Sequence, residues 1–299
     1  MRSDLNFVLC PSYHGATLLA LLLNNHSKIS CLGDTIPTKK FEQVCSCGKK
    51  VSVCEFWQSI RSSLNTDQYY TSINMIPSRP QLITNRKINR KIVRLMIEIN
   101  SRFSINLWHL TRNASNKFAD MQLQFYETVK EMHGTDVIID GQKELRKLKI
   151  LNGILKGKAN VKVLHLVRDP RGFLNSSKKY IKSATVKKVS EEWLKMHTDI
   201  RNSCDRPGID YLLVKYENLC ENPAECMRTI FNFYGYEYEN VITAPKYLKK
   251  HHLMGNKMVF EFDGTVKLDL SWKERLNPME ANDVLKLTQP LSRTMGYIN

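Results

Sequence analysis

The 299-residue chain has no long hydrophobic run. Its longest largely apolar stretch, Ala16 to Leu23 (ATLLALLL), falls far short of the ~18–20 residues that span a bilayer, so no transmembrane helix is expected. Nor does that stretch read as a leader peptide, because Asp4 and a strand-like segment precede it and no small-residue cleavage site fits. Internal repeats and low-complexity tracts do not stand out, which argues against a solenoid. The pattern G-x-x-x-x-G-K-[ST] is missing, and with it a Walker-type nucleotide loop. No helix-turn-helix, zinc-finger or RNP pattern occurs, so no specific nucleic-acid partner is expected.

Acidic residues are in deficit. The 29 Asp and Glu stand against 45 Lys and Arg, a formal charge of +16, and such a surface draws anions. The clusters Lys178-Lys179, Lys182 and Lys187-Lys188 suit a funnel for an anionic ligand, with a solvated basic face as the plainer alternative. Eight cysteines are too dispersed for a disulfide scaffold. Cys45, Cys47 and Cys54 cluster, and with Cys31 they would supply four thiolates for zinc. The C-x-C-x6-C spacing departs from the usual C-x2-C knuckle, so reduced structural thiols without a metal are the expectation.

The most informative segment present is Val161 to Ser177 (VKVLHLVRDPRGFLNSS). Its near-continuous apolar run predicts a strand covered on both faces, and Asp169-Pro170 then opens a helix with Pro in its first turn. Arg168 thus falls at the carboxyl end of a parallel strand, where open α/β sheets bind ligands. Ser176 follows about two helical turns later on the same side. A forked guanidinium beside a hydroxyl suits a terminal phosphomonoester, while an Arg-Asp pair tying strand to helix is the bland alternative. Residues 6–25 repeat the strand-loop-helix logic. Asn6 to Cys10 is a short strand, Pro11 to Thr17 a tight loop, and the helix after Gly15 points its free N–H groups into that loop. Between these units, residues 63–117 are polar and basic. They contain an amphipathic helix over Ile88 to Phe103, with Ile88, Ile92, Leu95, Met96 and Ile99 on one stripe.

These blocks, in this order, resemble the sulfotransferases that use 3′-phosphoadenylyl sulfate. The loop at Tyr13 to Thr17 is similar to the family's [KR]-S-G-[ST]-T, Cys45-Ser46-Cys47-Gly48 with Cys54 and Phe56-Trp57 to a bacterial C-x-C-G…C-x-F-W block, and Ile139 to Lys143 to its V-D-x-S-K segment. Arg168 with Ser176 matches the 3′-phosphate motif, and Tyr216-Glu217-Asn218-Leu219 the Y-E-[DN]-L motif.

The resemblance implies an α/β fold, a P-loop-like open parallel sheet flanked by helices, as one domain over 1–299 with a helical insertion at roughly 63–132. It implies that Tyr13, His14, Gly15, Ala16, Thr17 and Leu18 hold the 5′-phosphosulfate, that Arg168 and Ser176 hold the 3′-phosphate, and that Tyr216 lies near the nucleotide. Asp34 aligns with the carboxylate that takes the acceptor proton, with His14, His251 and His252 as competitors, and Lys143 is placed to hold the departing phosphosulfate. His251 to Asn256, followed by Lys257 and Trp272, resembles a segment that closes over the nucleotide.

Sulfuryl transfer to a hydroxyl or amine of a small-molecule, saccharide or peptide acceptor would then release adenosine 3′,5′-bisphosphate, with no metal. The family's basic loop residue is Tyr13 here and its small hydroxyl residue is His14, which keeps open a silent nucleotide-binding module; a P-loop nucleotide kinase is the other alternative. The sequon at Asn175-Ser176-Ser177 would put a glycan on the phosphate site, so a cytoplasmic location is expected.

Overall fold

A computed structural model describes residues 3–33, 44–64, 79–103, 105–242, 250–253 and 258–298. Five parallel strands carry the fold: β1 (Ser3–Leu9), β2 (Ile29–Cys31), β3 (Val137–Ile139), β4 (Ala159–Val167) and β5 (Ile209–Lys215). β4 lies between β1 and β5, and β2 pairs with β3. The Val8 N–H donates to the Asp140 carbonyl at 3.0 Å and the Asp140 N–H to the Asn6 carbonyl at 2.8 Å, stitching the two groups into the order β2-β3-β1-β4-β5.

The alternation along β1 divides the interior. Leu5, Phe7 and Leu9 face a core shared with α2 (Glu55–Ser63), α3 (Arg86–Phe103), α4 (Arg112–His133) and α5 (Leu145–Ile154). Val8 and Cys10 face the opposite core, with α1 (Ala16–Asn24) and α8 (Pro223–Tyr234). Covering both faces lets β4 run apolar, and Leu164, Leu166 and Val167 are fully buried. The expected open parallel sheet flanked by helices is what forms.

Local chemistry sets several boundaries. Asp169 accepts the Arg171 N–H at 2.8 Å and Pro170 occupies the first turn of α6 (Pro170–Tyr180). Helix α7 (Val186–Cys204) packs with α6 and α9 (Pro278–Leu287) around Phe173 and Trp193. α3 differs from its sequence reading. Its buried face carries Asn89, Val93, Met96 and Ile97, whereas Ile88 and Leu95 are 49% and 57% exposed. Asn89 turns the helix: its Oδ1 accepts the Leu82 N–H at 2.7 Å and its Nδ2 donates to the Pro80 carbonyl at 3.1 Å, so a polar side chain occupies the core-facing position. Among the described residues, no helix is long and apolar enough to cross a membrane.

Candidate active site

The carboxyl ends of β1, β3 and β4 bring together the loop before α1, the turn after Asp140, and Arg168. Two residues of the first loop hold left-handed backbone, Tyr13 at φ 63° and Gly15 at φ 86°. At Gly15 a side chain is excluded for a second reason, since a Cβ there would lie 2.4 Å from Cδ2 of Tyr216. Gly15 therefore lets the Tyr216 ring pack on the loop and leaves the first-turn N–H groups of Ala16, Thr17 and Leu18 without a capping side chain. No acidic residue stands in that first turn. A helix start of this kind favours an anion.

Arg168 organises the other half. Its guanidinium is buried; Nη1 donates to the Tyr13 carbonyl at 2.9 Å and to Ser176 Oγ at 3.3 Å, while Nη2 reaches Asp269 Oδ2 at 2.9 Å. The same guanidinium lies 4.6 Å from the Tyr216 ring centroid, and the Asp269 N–H donates to the Tyr216 hydroxyl at 3.3 Å. Tyr13, Gly15, Arg168, Ser176 and Tyr216 thus converge, as their motifs suggested. Glu217, the next residue of the Y-E-N-L segment, accepts the Asp169 N–H at 2.9 Å and the Tyr297 hydroxyl at 2.9 Å, which ties β5 to the start of α6.

His14 points inward. It is fully buried, its Nδ1 donates to the Ser12 carbonyl at 2.8 Å, and its Nε2 lies 3.1 Å from Nε2 of His197. Burial drives its pKa down to about 3, the Ser12 bond opposing and the charge of Arg168 adding to the depression. The ring is neutral at neutral pH and does not supply the cation that Tyr13 fails to provide.

Lys143 also has left-handed backbone, φ 62°, and lines a small cavity with Ala16, Thr17, Gly33, Gly141 and His252. Its turn is held from below by a buried ion pair that sequence reasoning missed. Lys147 Nζ donates to Asp140 Oδ2 at 2.5 Å, the Tyr126 hydroxyl donates to the same oxygen at 2.7 Å, and the Gln142 N–H donates to Oδ1 at 2.9 Å. No helical spacing joins the two, because Asp140 follows β3 and α5 begins only at Leu145. Asp269 carries no motif. Asp34, Asn256 and Lys257 lie outside the described residues; Gly33, just before Asp34, borders the cavity.

A large cavity, about 1050 Å³, opens at the other end of the sheet among Asp4, Asn160, Lys156, Arg206 and Asp210. α5 and α7 present the negative ends of their dipoles there, which oppose the pull of Lys149, Lys156, Lys162 and Arg206 on an anion. The loop-side site suits a phosphate better despite its smaller void.

The sulfotransferase domain from the curacin biosynthetic pathway is similar in structure, with TM-score 0.53 and 12% identity over 97% of this chain and 98% of that one. The sulfotransferase domain of the Synechococcus PCC 7002 olefin synthase aligns at 15% identity and TM-score 0.47 over 98% of this chain and 96% of that one. Sulfotransferase STF9 from Mycobacterium avium aligns at 9% and 0.46 over 98% of this chain and 77% of that one. No curated protein matches in sequence. The model of the sulfotransferase family matches residues 7–240, a span that runs from β1 past the Y-E-N-L segment and takes in the first loop, Arg168 and Ser176, and the chain therefore belongs to the sulfotransferase family, whose members are enzymes of sulfuryl transfer.

Proposed function

We propose that the donor is 3′-phosphoadenylyl sulfate and that the acceptor is a hydroxyl or amine of a saccharide, peptide or small molecule. The observation that carries this reading is the meeting of Arg168 and Ser176 Oγ at 3.3 Å beside the open amino end of α1. One half offers a fork and a hydroxyl to a 3′-phosphate; the other offers backbone N–H groups to a 5′-phosphosulfate. The acceptor oxygen or nitrogen attacks sulfur as the S–O bond to the 5′-phosphate breaks, so negative charge develops on that phosphate. First-turn amides of α1 and Lys143 are the groups that would receive it. Positioning and charge stabilisation dominate such a transfer, as in phosphoryl transfer.

The acceptor proton passes to a carboxylate, which we assign to Asp34; His252, which lines the small cavity of Thr17 and Lys143, is the competing base. His14 serves instead to hold the loop through its bond to the Ser12 carbonyl. We read residues 1–299 as one catalytic domain, with α3 and α4 as its helical insertion, working in a reducing cytoplasm. Calorimetry with adenosine 3′,5′-bisphosphate and with adenosine 5′-phosphate, without Mg²⁺, tests the donor. Wild-type protein should prefer the bisphosphate, and Arg168→Ala should lose about 2–5 kcal/mol of that binding while sparing the monophosphate. Equal losses for both ligands would separate Arg168 from the 3′-phosphate, and binding without transfer to any acceptor would favour a silent module.

A further inference from the structure

We propose that Cys45, Cys47, Cys54 and His251 form a structural zinc site that clamps two remote segments of the chain beside the transfer site. The four donor atoms all lie within 4.8 Å of one another. His251 Nδ1 is 3.3 Å from Cys45 Sγ and 3.3 Å from Cys54 Sγ, and Cys47 Sγ is 3.7 Å from Cys54 Sγ. A tetrahedral zinc with bonds of roughly 2.3 Å to sulfur and 2.0–2.1 Å to nitrogen separates its ligands by roughly 3.8 Å between sulfurs and 3.5 Å between sulfur and nitrogen. The observed spacings approach that shell. The single Nδ1 faces two thiols at once, the convergence that a shared cation would hold together.

The frame around the donors is built. Cys45 N–H donates to the Lys49 carbonyl and Gly48 N–H to the Cys45 carbonyl, both at 2.9 Å, with Gly48 at φ 81°, so Cys45 and Cys47 sit on one tight turn. Cys54 stands at the start of α2. The His251 ring stacks on Phe56 at 4.6 Å and 3° between planes, the His133 ring also stacks on Phe56 at 4.6 Å and lies 6.2 Å from the His251 ring, and the His251 N–H donates to His133 Nε2 at 3.0 Å. Backbone bonds finish the join: Ser46 N–H to the His252 carbonyl at 2.9 Å and His252 N–H to Ser46 Oγ at 3.0 Å.

The fourth donor is thus His251, not Cys31, which lies on β2 against Gly141. Three thiols and an imidazole select zinc over calcium or magnesium, and four protein ligands leave no open position for catalysis. The consequence for the active site is mechanical. His252, next to the ligand, places its ring against Gly33, where a Cβ would meet Cε1 at 2.3 Å, and lines the cavity of Thr17 and Lys143.

The test uses the reduced 299-residue chain, purified without chelators, and elemental analysis by plasma mass spectrometry. One equivalent of zinc per chain is expected, and cobalt substitution should give thiolate charge-transfer and tetrahedral d–d bands. Cys47→Ser, at a half-buried ligand, should weaken zinc retention against a competing chelator by more than the roughly 10–100-fold typical of losing a second-shell partner. Cys226→Ser, outside the cluster, should leave it unchanged. Wild-type chain that takes up no zinc on direct titration, wild-type retention in Cys47→Ser, or a Cys47–Cys54 disulfide in the native protein would overturn the site. None of these readouts depends on transfer activity.

Discussion

His14 Nε2 and His197 Nε2, 183 positions apart in sequence, lie 3.1 Å from each other in the interior. The contact begins a chain. His197 Nδ1 is 2.7 Å from His165 Nε2, and His165 Nδ1 is 2.6 Å from the Tyr211 hydroxyl. One assignment satisfies every link with neutral rings: Tyr211 donates to His165, His165 to His197, His197 to His14, and His14 to the Ser12 carbonyl. The loop before α1 is thereby fastened through α7 and β4 to β5.

Acid should loosen this fastening. Burial lowers His14 and His165 to about 3 and places His197 well below its ordinary value. Below pH ~6.5 the unfolded chain takes up protons on these rings and the folded chain does not, so stability falls as pH drops from about 6.5 toward 3 and is flat above that window. Each ring contributes up to about 1.4 kcal/mol per pH unit. Urea unfolding between pH 5 and 7.5 should show the slope, and His165→Gln should flatten it by about one proton; an unchanged slope would mean that His165 is protonated in the fold.

The carboxylate of Asp269 occupies Arg168 from one side at 2.9 Å. Burial alone would raise its pKa, but hydrogen bonds from Ser271 and Arg168 outweigh that and hold it below the ordinary carboxylate value, so it is anionic at neutral pH. The 3′-phosphate of the proposed donor would share the guanidinium with it. Asp269→Asn should therefore tighten adenosine 3′,5′-bisphosphate by about 1 kcal/mol, roughly fivefold, the scale of a partly exposed pair. Weaker binding in calorimetry would show instead that Asp269 orients Arg168.

Lys147 and Asp140 are both buried, and their pair fixes the turn that carries Lys143. Lys147→Met leaves a buried carboxylate facing only Tyr126 and the Gln142 N–H, at a cost of about 3–5 kcal/mol. Adding Asp140→Asn should recover part of that loss. Denaturant midpoints for the single and double variants measure the coupling, and additive losses would deny it.

Asp34→Asn should keep bisphosphate affinity while lowering turnover about 10²–10⁴-fold, the worth of a general base. Single-turnover transfer from labelled donor separates binding from chemistry. A wild-type rate would move the base to His252.

Much of the proposed donor site was legible because its parts are local. Arg168 and Ser176 are eight residues apart, a separation that helical periodicity returns to one side, and Pro170 marks where that helix starts. Gly15 before an apolar helix announced a loop with open N–H groups. The apolar run of β4 predicted a strand covered on both faces.

Tertiary structure decided whatever depends on distant segments meeting. Asp269 reaches Arg168 across 101 positions, and His251 reaches Cys54 across 197. Neither pairing has a period or a spacing to betray it. The α3 helix shows the same limit from within one element: its hydrophobic pattern marked a face, yet the hydrogen bonds of Asn89 to the segment before it rotated that face. The inward turn of His14 also follows from packing, because only the folded interior supplies His197 to receive it. Sequence by itself determined which backbone forms and which side chains leave its strand ends; the balance among burial, charge and hydrogen bonding that chooses each side chain's partner exists only once the sheet has brought those ends together.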